Sequence, residues 1–220
     1  GDVDETWCLG DLVGYGPDPN AVVEEVLEIK NLTCLMGNHD VAVIGRMSLE
    51  TFNGDAKRSL QYHEKVLSAS NRDFIKTLPS KTKVRGEVTM AHGSPRDPLW
   101  EYILNATTAS LNFDHYDTPW CFVGHTHIQS VFMLNPENDR VTVSQTQPDV
   151  TLQLQPRLIL NPGSVGQPRD RDPRAAYAIY DTEARTWTPK RVMYNIAEVQ
   201  ERIRAVGLPE KHAVRIGEGW

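Results

Sequence analysis

The chain has 220 residues, 24% of them charged, with a formal net charge of -6. That length suits one domain whose core needs no disulfide staples, and an acidic balance without a basic stripe argues against tight electrostatic binding to long duplex nucleic acid. Three cysteines without metal-finger spacing, no apolar run of membrane-spanning length and no leader pattern in residues 1–20 point to a soluble, cytoplasmic protein.

In chain order, the first predicted strand ends at Leu9 and is followed by a glycine-rich loop, residues 10–17. A helix then begins with Asp18 as N-cap and Pro19 in the first helical position. Val22, Val26 and Ile29, joined by Val23 and Leu27, form the face expected to cover a sheet. The strand at 32–36 completes a strand–helix–strand unit of the kind found in parallel sheets. Residues 51–78 are predicted as two helices split near Ser70-Asn71 and ending before Pro79. Strands at 81–85 and 88–91 flank the turn Gly86-Glu87. A helix over 107–116 leads to strands at 120–123 and 130–134. The polar stretch 135–156, with Pro136, Pro148 and Pro156, fits an excursion or a ragged hairpin. Strands are predicted at 157–160, 175–180 and 187–194. In the last helix Asn195 is the cap, Glu198 holds the capping-box position, and Gly207 with Pro209 ends it. Its expected buried face is Ile196, Val199, Ile203 and Val206. Cys8, Cys34 and Cys121 all lie in predicted strands and are expected to be small buried residues, not redox groups. With no internal repeat and no linker, a single α/β domain over 1–220 is expected.

Four of these strands run into clusters of potential metal ligands: Gly10-Asp11, Gly37-Asn38-His39-Asp40, His92-Gly93 and Gly124-His125-Thr126-His127. Ligands at the ends of rigid neighbouring strands can converge on a metal, as a metal-dependent hydrolase requires. Four of the seven histidines fall in the clusters; His63, His115 and His212 are expected in surface or partly buried polar roles. In an extended segment His125 and His127 would project to the same side, toward two metals about 3.5–4 Å apart. Asp11 supplies a carboxylate suited to bridging and Asn38 a neutral carbonyl oxygen. Oxygen and imidazole donors without thiolate suit manganese, iron, zinc or nickel better than calcium. Arg96, Arg169, Arg171 and Arg174 lie in loops, and arginine forks suit phosphate recognition. Arg96 and Arg169 are the better candidates, since Arg96 lies close in sequence to His92-Gly93 and Arg169 to the segment Asn161–Gly166. Trp100, Tyr102 and Phe113 could stack on a nucleobase or pack against a helix.

In order and spacing the four clusters resemble four of the five signature blocks of calcineurin-like metallophosphoesterases, and Asn161-Pro162-Gly163-Ser164-Val165-Gly166 resembles a further block of the small prokaryotic branch. The resemblance implies a four-layer α/β/β/α sandwich of two mixed sheets flanked by helices. It also implies two divalent or trivalent transition-metal ions and a small phosphodiester or phosphomonoester as substrate. Asp11 would bridge the metals. Asn38, His92 and His125 would complete one site and His127 would serve the other. His39 would face the scissile phosphate and protonate or stabilise the leaving oxygen, while a metal-bridging hydroxide attacks in line. The sequence departs from the family pattern twice. The family's first block, an aspartate and a histidine separated by one residue, has no counterpart, and Asp2 and Asp4 do not replace it. The expectation is that a strand and helix of roughly 20–25 residues precede residue 1 in the native protein. At Gly14 the related protein serine/threonine phosphatases carry an aspartate that pairs with the histidine equivalent to His39, so protein-phosphatase activity is not expected. A degenerate member that binds a phosphorylated ligand or a protein partner, and a nuclease of the same superfamily, are the alternative readings.

Overall fold

Strands β1 (Thr6–Cys8) and β2 (Leu32–Cys34) pair in parallel in the computed structural model, which describes residues 3–220. Asp2, one of the two residues set aside for the first block, lies outside the described residues. The chain divides into two compact units, one running to Ser80 and taking in Asn195–Gly217, the other formed by Lys81–Tyr194 with Glu218–Trp220.

In the first unit helix α1 (Pro19–Leu27) crosses from β1 to β2, as its proline and the flanking apolar runs predict. Its buried face is narrower than expected: Pro19 and Val23 are buried, but Val22, Leu27 and Ile29 are exposed. A polar clasp sets this orientation. Asn20 accepts from the backbone of Ser68 at 2.9 Å and from the Asn71 amide at 3.0 Å, and donates to the Val66 carbonyl at 2.8 Å. Three bonds from one side chain fix the helix more strictly than an apolar stripe would. Helix α2 (Asn38–Val43) follows β2 and is buried throughout. Helices α3 (Gly54–Val66) and α4 (Ala69–Thr77) break at Leu67-Ser68, earlier than expected. Ser68 is the N-cap there, accepting from Asn71 N–H at 3.2 Å.

The second unit holds a six-stranded mixed sheet. Strands β3 (Lys81–Val84) and β4 (Val88–Ala91) form the expected hairpin. After helix α5 (Ala106–Ser110) and a 3₁₀ turn at Phe113–His115, strand β5 (Trp120–Val123) pairs parallel to β4, and β9 (Leu158–Pro162) parallel to β5. Between them β6 (Gln129–Leu134) and β7 (Val141–Gln145) make a hairpin that extends the sheet past β9. The order is β3-β4-β5-β9-β6-β7. The polar stretch 135–156 is thus partly an edge hairpin, and partly the short β8 (Leu152–Gln153), which joins a separate antiparallel sheet. That sheet, β10-β11-β8, contains β10 (Ala175–Asp181) and β11 (Thr186–Val192). Trp187 of β11 packs on Phe122 of β5 with ring centroids 4.7 Å apart. Strands β4 and β5 are buried at every residue, which is why they read as unbroken apolar runs.

The chain returns to the first unit as α6 (Ile196–Ala205), capped as expected by Asn195, which accepts from Glu198 N–H at 3.2 Å. Ile203 is buried and Ile196 and Val199 pack beside it, but Val206 is exposed. A further helix, α7 (Glu210–Glu218), follows where only a tail was expected, with His212, Ala213 and Ile216 buried. Pro209 ends one helix and opens the next, its carbonyl accepting from His212 N–H at 2.9 Å.

Gln129 joins the two sheets of the second unit. Its amide donates to the carbonyls of Pro162 at 3.0 Å and Tyr177 at 3.2 Å, and its oxygen accepts from Arg191 Nε at 3.0 Å. Gln129→Leu would strand these buried partners, so it should lower unfolding stability by about 2–3 kcal/mol in urea titrations. An unchanged midpoint would show that the sheets are held by apolar packing alone.

Candidate functional site

In the second unit, parallel register decides which residues meet. Ala91 lies opposite Val123, so β4 and β5 end level, and His92 and His125 emerge next to each other at the strand ends. His92 Nε2 lies 3.2 Å from His125 Nδ1, both residues are buried, and the rings meet edge to face with centroids 4.9 Å apart. Two nitrogens bound to one transition metal by bonds of about 2.1 Å stand about 3.0–3.4 Å apart. The pair therefore fits one metal ion.

The Gly124–His127 segment is not the extended run expected from the sequence. His125 and His127 both take positive φ, +60° and +62°, and Thr126 N–H closes on the Gly124 carbonyl at 2.6 Å. Asn161, at the end of β9, holds this turn. Its amide donates to the Gly124 carbonyl at 2.7 Å and to Thr126 Oγ1 at 2.9 Å, and its oxygen accepts from Gly163 N–H at 2.8 Å. His127 Nδ1 lies 2.7 Å from the Gln167 carbonyl and must donate to it, so the ring's lone pair sits on Nε2. Arg169 N–H donates to the His127 carbonyl at 3.0 Å, and its guanidinium reaches Gln167 Oε1 at 3.0 Å. Arg96, in contrast, is paired with Glu101.

In the first unit the loop after β1 carries Asp11 at φ +56°, and Asp11 Oδ1 accepts from His39 N–H at 3.0 Å at the start of α2. A side chain at Gly37 is excluded, because its Cβ would fall 2.1 Å from Asp11 Oδ1. Asn38 and His39 are both buried. Asp40 ties the two loops together. Its carboxylate accepts from the backbone N–H groups of Gly37, Leu12 and Val13 at 2.9, 3.2 and 3.2 Å, joining the two loops. The His39 ring lies against Tyr15 and Phe52, with centroids 4.6 and 5.0 Å away. Gly14, at φ +113°, packs so closely on His39 that a Cβ would come within 2.5 Å of Nδ1. A side chain at that position would need the His39 ring to shift and would sit at a strained φ.

His63 and His212 correct the expectation of surface or partly buried roles, since both are fully buried; His115 is exposed. His63 of α3 reaches back to the loop before α1. Its Nδ1 accepts from Gly14 N–H at 3.0 Å, and its Nε2 donates to the Gly16 carbonyl at 2.7 Å. Ser59 Oγ accepts from Tyr15 N–H at 3.2 Å and the Tyr62 hydroxyl donates to the Pro17 carbonyl at 3.2 Å, so one helix face holds the whole loop against His39. His212 Nε2 donates to the Asp55 carbonyl at 3.1 Å, and its ring abuts Tyr15 at 5.1 Å. The sequence signal for these roles was weak: histidines at buried helical spacing, far from any cluster. Phe113 belongs to the core and Tyr102 is exposed.

Residues 1–185 match the calcineurin-like phosphoesterase superfamily domain, and the chain belongs to that family. It is 35% identical over 214 residues to an uncharacterized protein of Methanocaldococcus jannaschii, covering 94% of this chain and 84% of that protein. The structure is similar to that of a metallophosphoesterase from Sphaerobacter thermophilus, with 43% identity and a TM-score of 0.90 over 100% of this chain and 90% of that one. A hypothetical protein from Pyrococcus horikoshii OT3, 20% identical with a TM-score of 0.77, shares the fold over 100% of this chain and 86% of its own. The mixed α/β architecture is thus the metallophosphoesterase fold that the sequence motifs implied, and the family is one of phosphoester hydrolases.

Burial lowers the His63 pKa to about 4, with His212 lowering it further and the Gly16 carbonyl and Asp18 opposing. A neutral ring is what the Gly14 hydrogen bond requires. In the unfolded chain His63 would bind a proton near pH 6.5, so its contribution is full above that pH and is lost as pH falls toward 4. His63→Gln can keep both hydrogen bonds without titrating. Its stability should fall less than the wild type's between pH 7 and pH 4.5, by about 2–3 kcal/mol in urea unfolding; parallel curves would show that His63 does not carry this dependence.

Proposed function

We propose that the chain hydrolyses a small phosphodiester or phosphomonoester with two transition-metal ions drawn from manganese, iron, zinc and nickel. The observation that carries this reading is the pair of imidazole nitrogens 3.2 Å apart at two level strand ends, in a member of a phosphoesterase family. Asp11, Asn38, His92, His125 and His127 are assigned to the metals. The bound cations would neutralise the phosphoryl oxygens and activate the attacking water.

The remaining steps belong to the side chains. His127, fixed as the Nδ1–H tautomer by the Gln167 carbonyl, offers Nε2 as a donor. Asp11 is oriented through the His39 backbone N–H, so the carboxylate and the start of α2 move as one piece. His39 is assigned to the leaving oxygen. Its Nδ1 packs on Gly14, which makes Nε2 the atom that transfers the proton. Its aromatic neighbours Tyr15 and Phe52 pack on the ring and hold its plane. Arg169, anchored beside His127, is assigned to a substrate oxygen. Arg96 would have to exchange Glu101 for substrate to do the same. No helix among the described residues is long and apolar enough to cross a membrane, and a cytoplasmic setting is part of the proposal.

Asp11→Asn should lose bound metal and turnover together, read by metal analysis and by hydrolysis of a panel of simple esters. His39→Gln should retain metal while its rate falls about 10²–10⁴-fold, the usual worth of general acid catalysis. Equal metal loss in both variants would overturn the role given to His39. Wild-type binding of phosphorylated ligands without turnover, across all four metals, would make the protein a binder and not a hydrolase.

A further inference from the structure

We propose that Tyr102 is a stacking platform for a planar aromatic group of the phosphoester substrate, a specificity element that rests on the hydrolase reading above. The Tyr102 ring lies on the His125 imidazole with centroids 3.8 Å apart and planes 23° from parallel. One face is thereby committed to a residue at the strand-end site. The residue nevertheless remains 42% exposed, and we assign that exposure to the face turned away from His125. A ring laid on that face would continue the same stack, one ring thickness farther from His125.

The segment is built to hold this tyrosine in place. Burial alternates along residues 101–104: Glu101 and Ile103 point inward, Tyr102 and Leu104 outward, as in an extended run. Ile103 is 1% exposed within the core cluster that includes Phe113, Phe132 and Ile159. Glu101 is the anchor on the other side. Its carboxylate accepts from Ser94 Oγ and Asn112 Nδ2, each at 2.7 Å, and from the Arg96 guanidinium. Burial pushes this carboxyl up, yet the three donors hold it down to about 2, so it is ionised at any physiological pH. Asn112 also accepts from Arg96 N–H at 3.0 Å, and Gly93 N–H closes on the Pro98 carbonyl at 2.7 Å. Loop 93–101 is therefore tied at both ends, and Tyr102 is carried between a charged anchor and an apolar one.

An aromatic ring fixed in this way loses little entropy on binding, which is what makes tyrosine effective at recognition surfaces. Leu104, 55% exposed and projecting to the same side, extends the surface along the chain. Plain apolar burial would favour a bulky aliphatic group at least as strongly as a flat one. Stacking prefers the flat one.

The test uses the manganese-loaded protein with two non-hydrolysable ligands, 2-phenylethylphosphonate and 2-cyclohexylethylphosphonate, read by titration calorimetry. The wild type should bind the phenyl compound roughly five- to tenfold tighter. Tyr102→Phe should keep that ratio, and Tyr102→Leu should bring it near one while leaving cyclohexyl affinity almost unchanged. Equal affinities in the wild type, no binding of either ligand, or an equal loss of both in Tyr102→Leu would overturn the inference. Turnover of the corresponding phosphate esters is measured separately. A phenyl preference without turnover keeps the platform and removes the hydrolase reading; turnover without a phenyl preference does the reverse.

Discussion

Strands β4, β5 and β9 run parallel, with Ala91 opposite Val123 and Phe122 opposite Leu160, so their carboxyl ends lie side by side. His92 follows β4 directly and His125 follows β5 by two residues, while Asn161 lies near the end of β9, so the shared level brings His92 to His125 and Asn161 to the Gly124 turn. Parallel strands buried on both faces cannot slip by a residue without exchanging their packed and ladder-bonded partners. The level ends are therefore as rigid as the core beneath them. In the first unit the parallel pair β1 and β2 does the same for Asp11 and the start of α2.

Leaving a buried sheet creates a second problem, because backbone donors in the loops still need partners. One side chain in each loop helps to meet this need or ties the loop in place. Asp40 takes three backbone N–H groups, Asn161 spans the histidine turn, His63 closes the Gly14–Gly16 loop, and Glu101 gathers the donors of the loop after β4. None of these four is assigned to metal or substrate. Each is buried or nearly so, and each fixes the place of a residue that is assigned or proposed to act.

This division of labour explains what was legible in the sequence. Apolar runs ending in glycine and a ligand are local signals, so strands, clusters and family pattern could be recognised without coordinates. The supporting side chains act across distance. His63 bonds to residues 47 and 49 positions away, and Asn161 to residues 35 and 37 away. Nothing near them in the chain marks those roles. Helix α1 was misjudged for the same reason. Its apolar residues make one broad face, and the distant clasp from Asn20 to Val66, Ser68 and Asn71 chooses which edge of it is buried. Helix α7 was missed because its buried residues span barely more than one turn, too few to establish a helical period.

Strain and support belong together in these loops. Asp11, Tyr15, His125 and His127 all have φ between 56° and 62°, a region that costs an L-residue with a side chain roughly 1–2 kcal/mol. Glycine would relieve the cost at every one of these positions but would remove the donor or the ring. The chain instead keeps the side chain at the strained position and, at Asp11, Tyr15 and His125, places a glycine next to it, Gly10, Gly14 and Gly124. Gly14 shows why the neighbour matters. Any side chain there would strike His39 unless the ring shifted. Glycine at position 14 therefore leaves room for the imidazole, and the aromatic contacts of Tyr15 and Phe52 help to orient it.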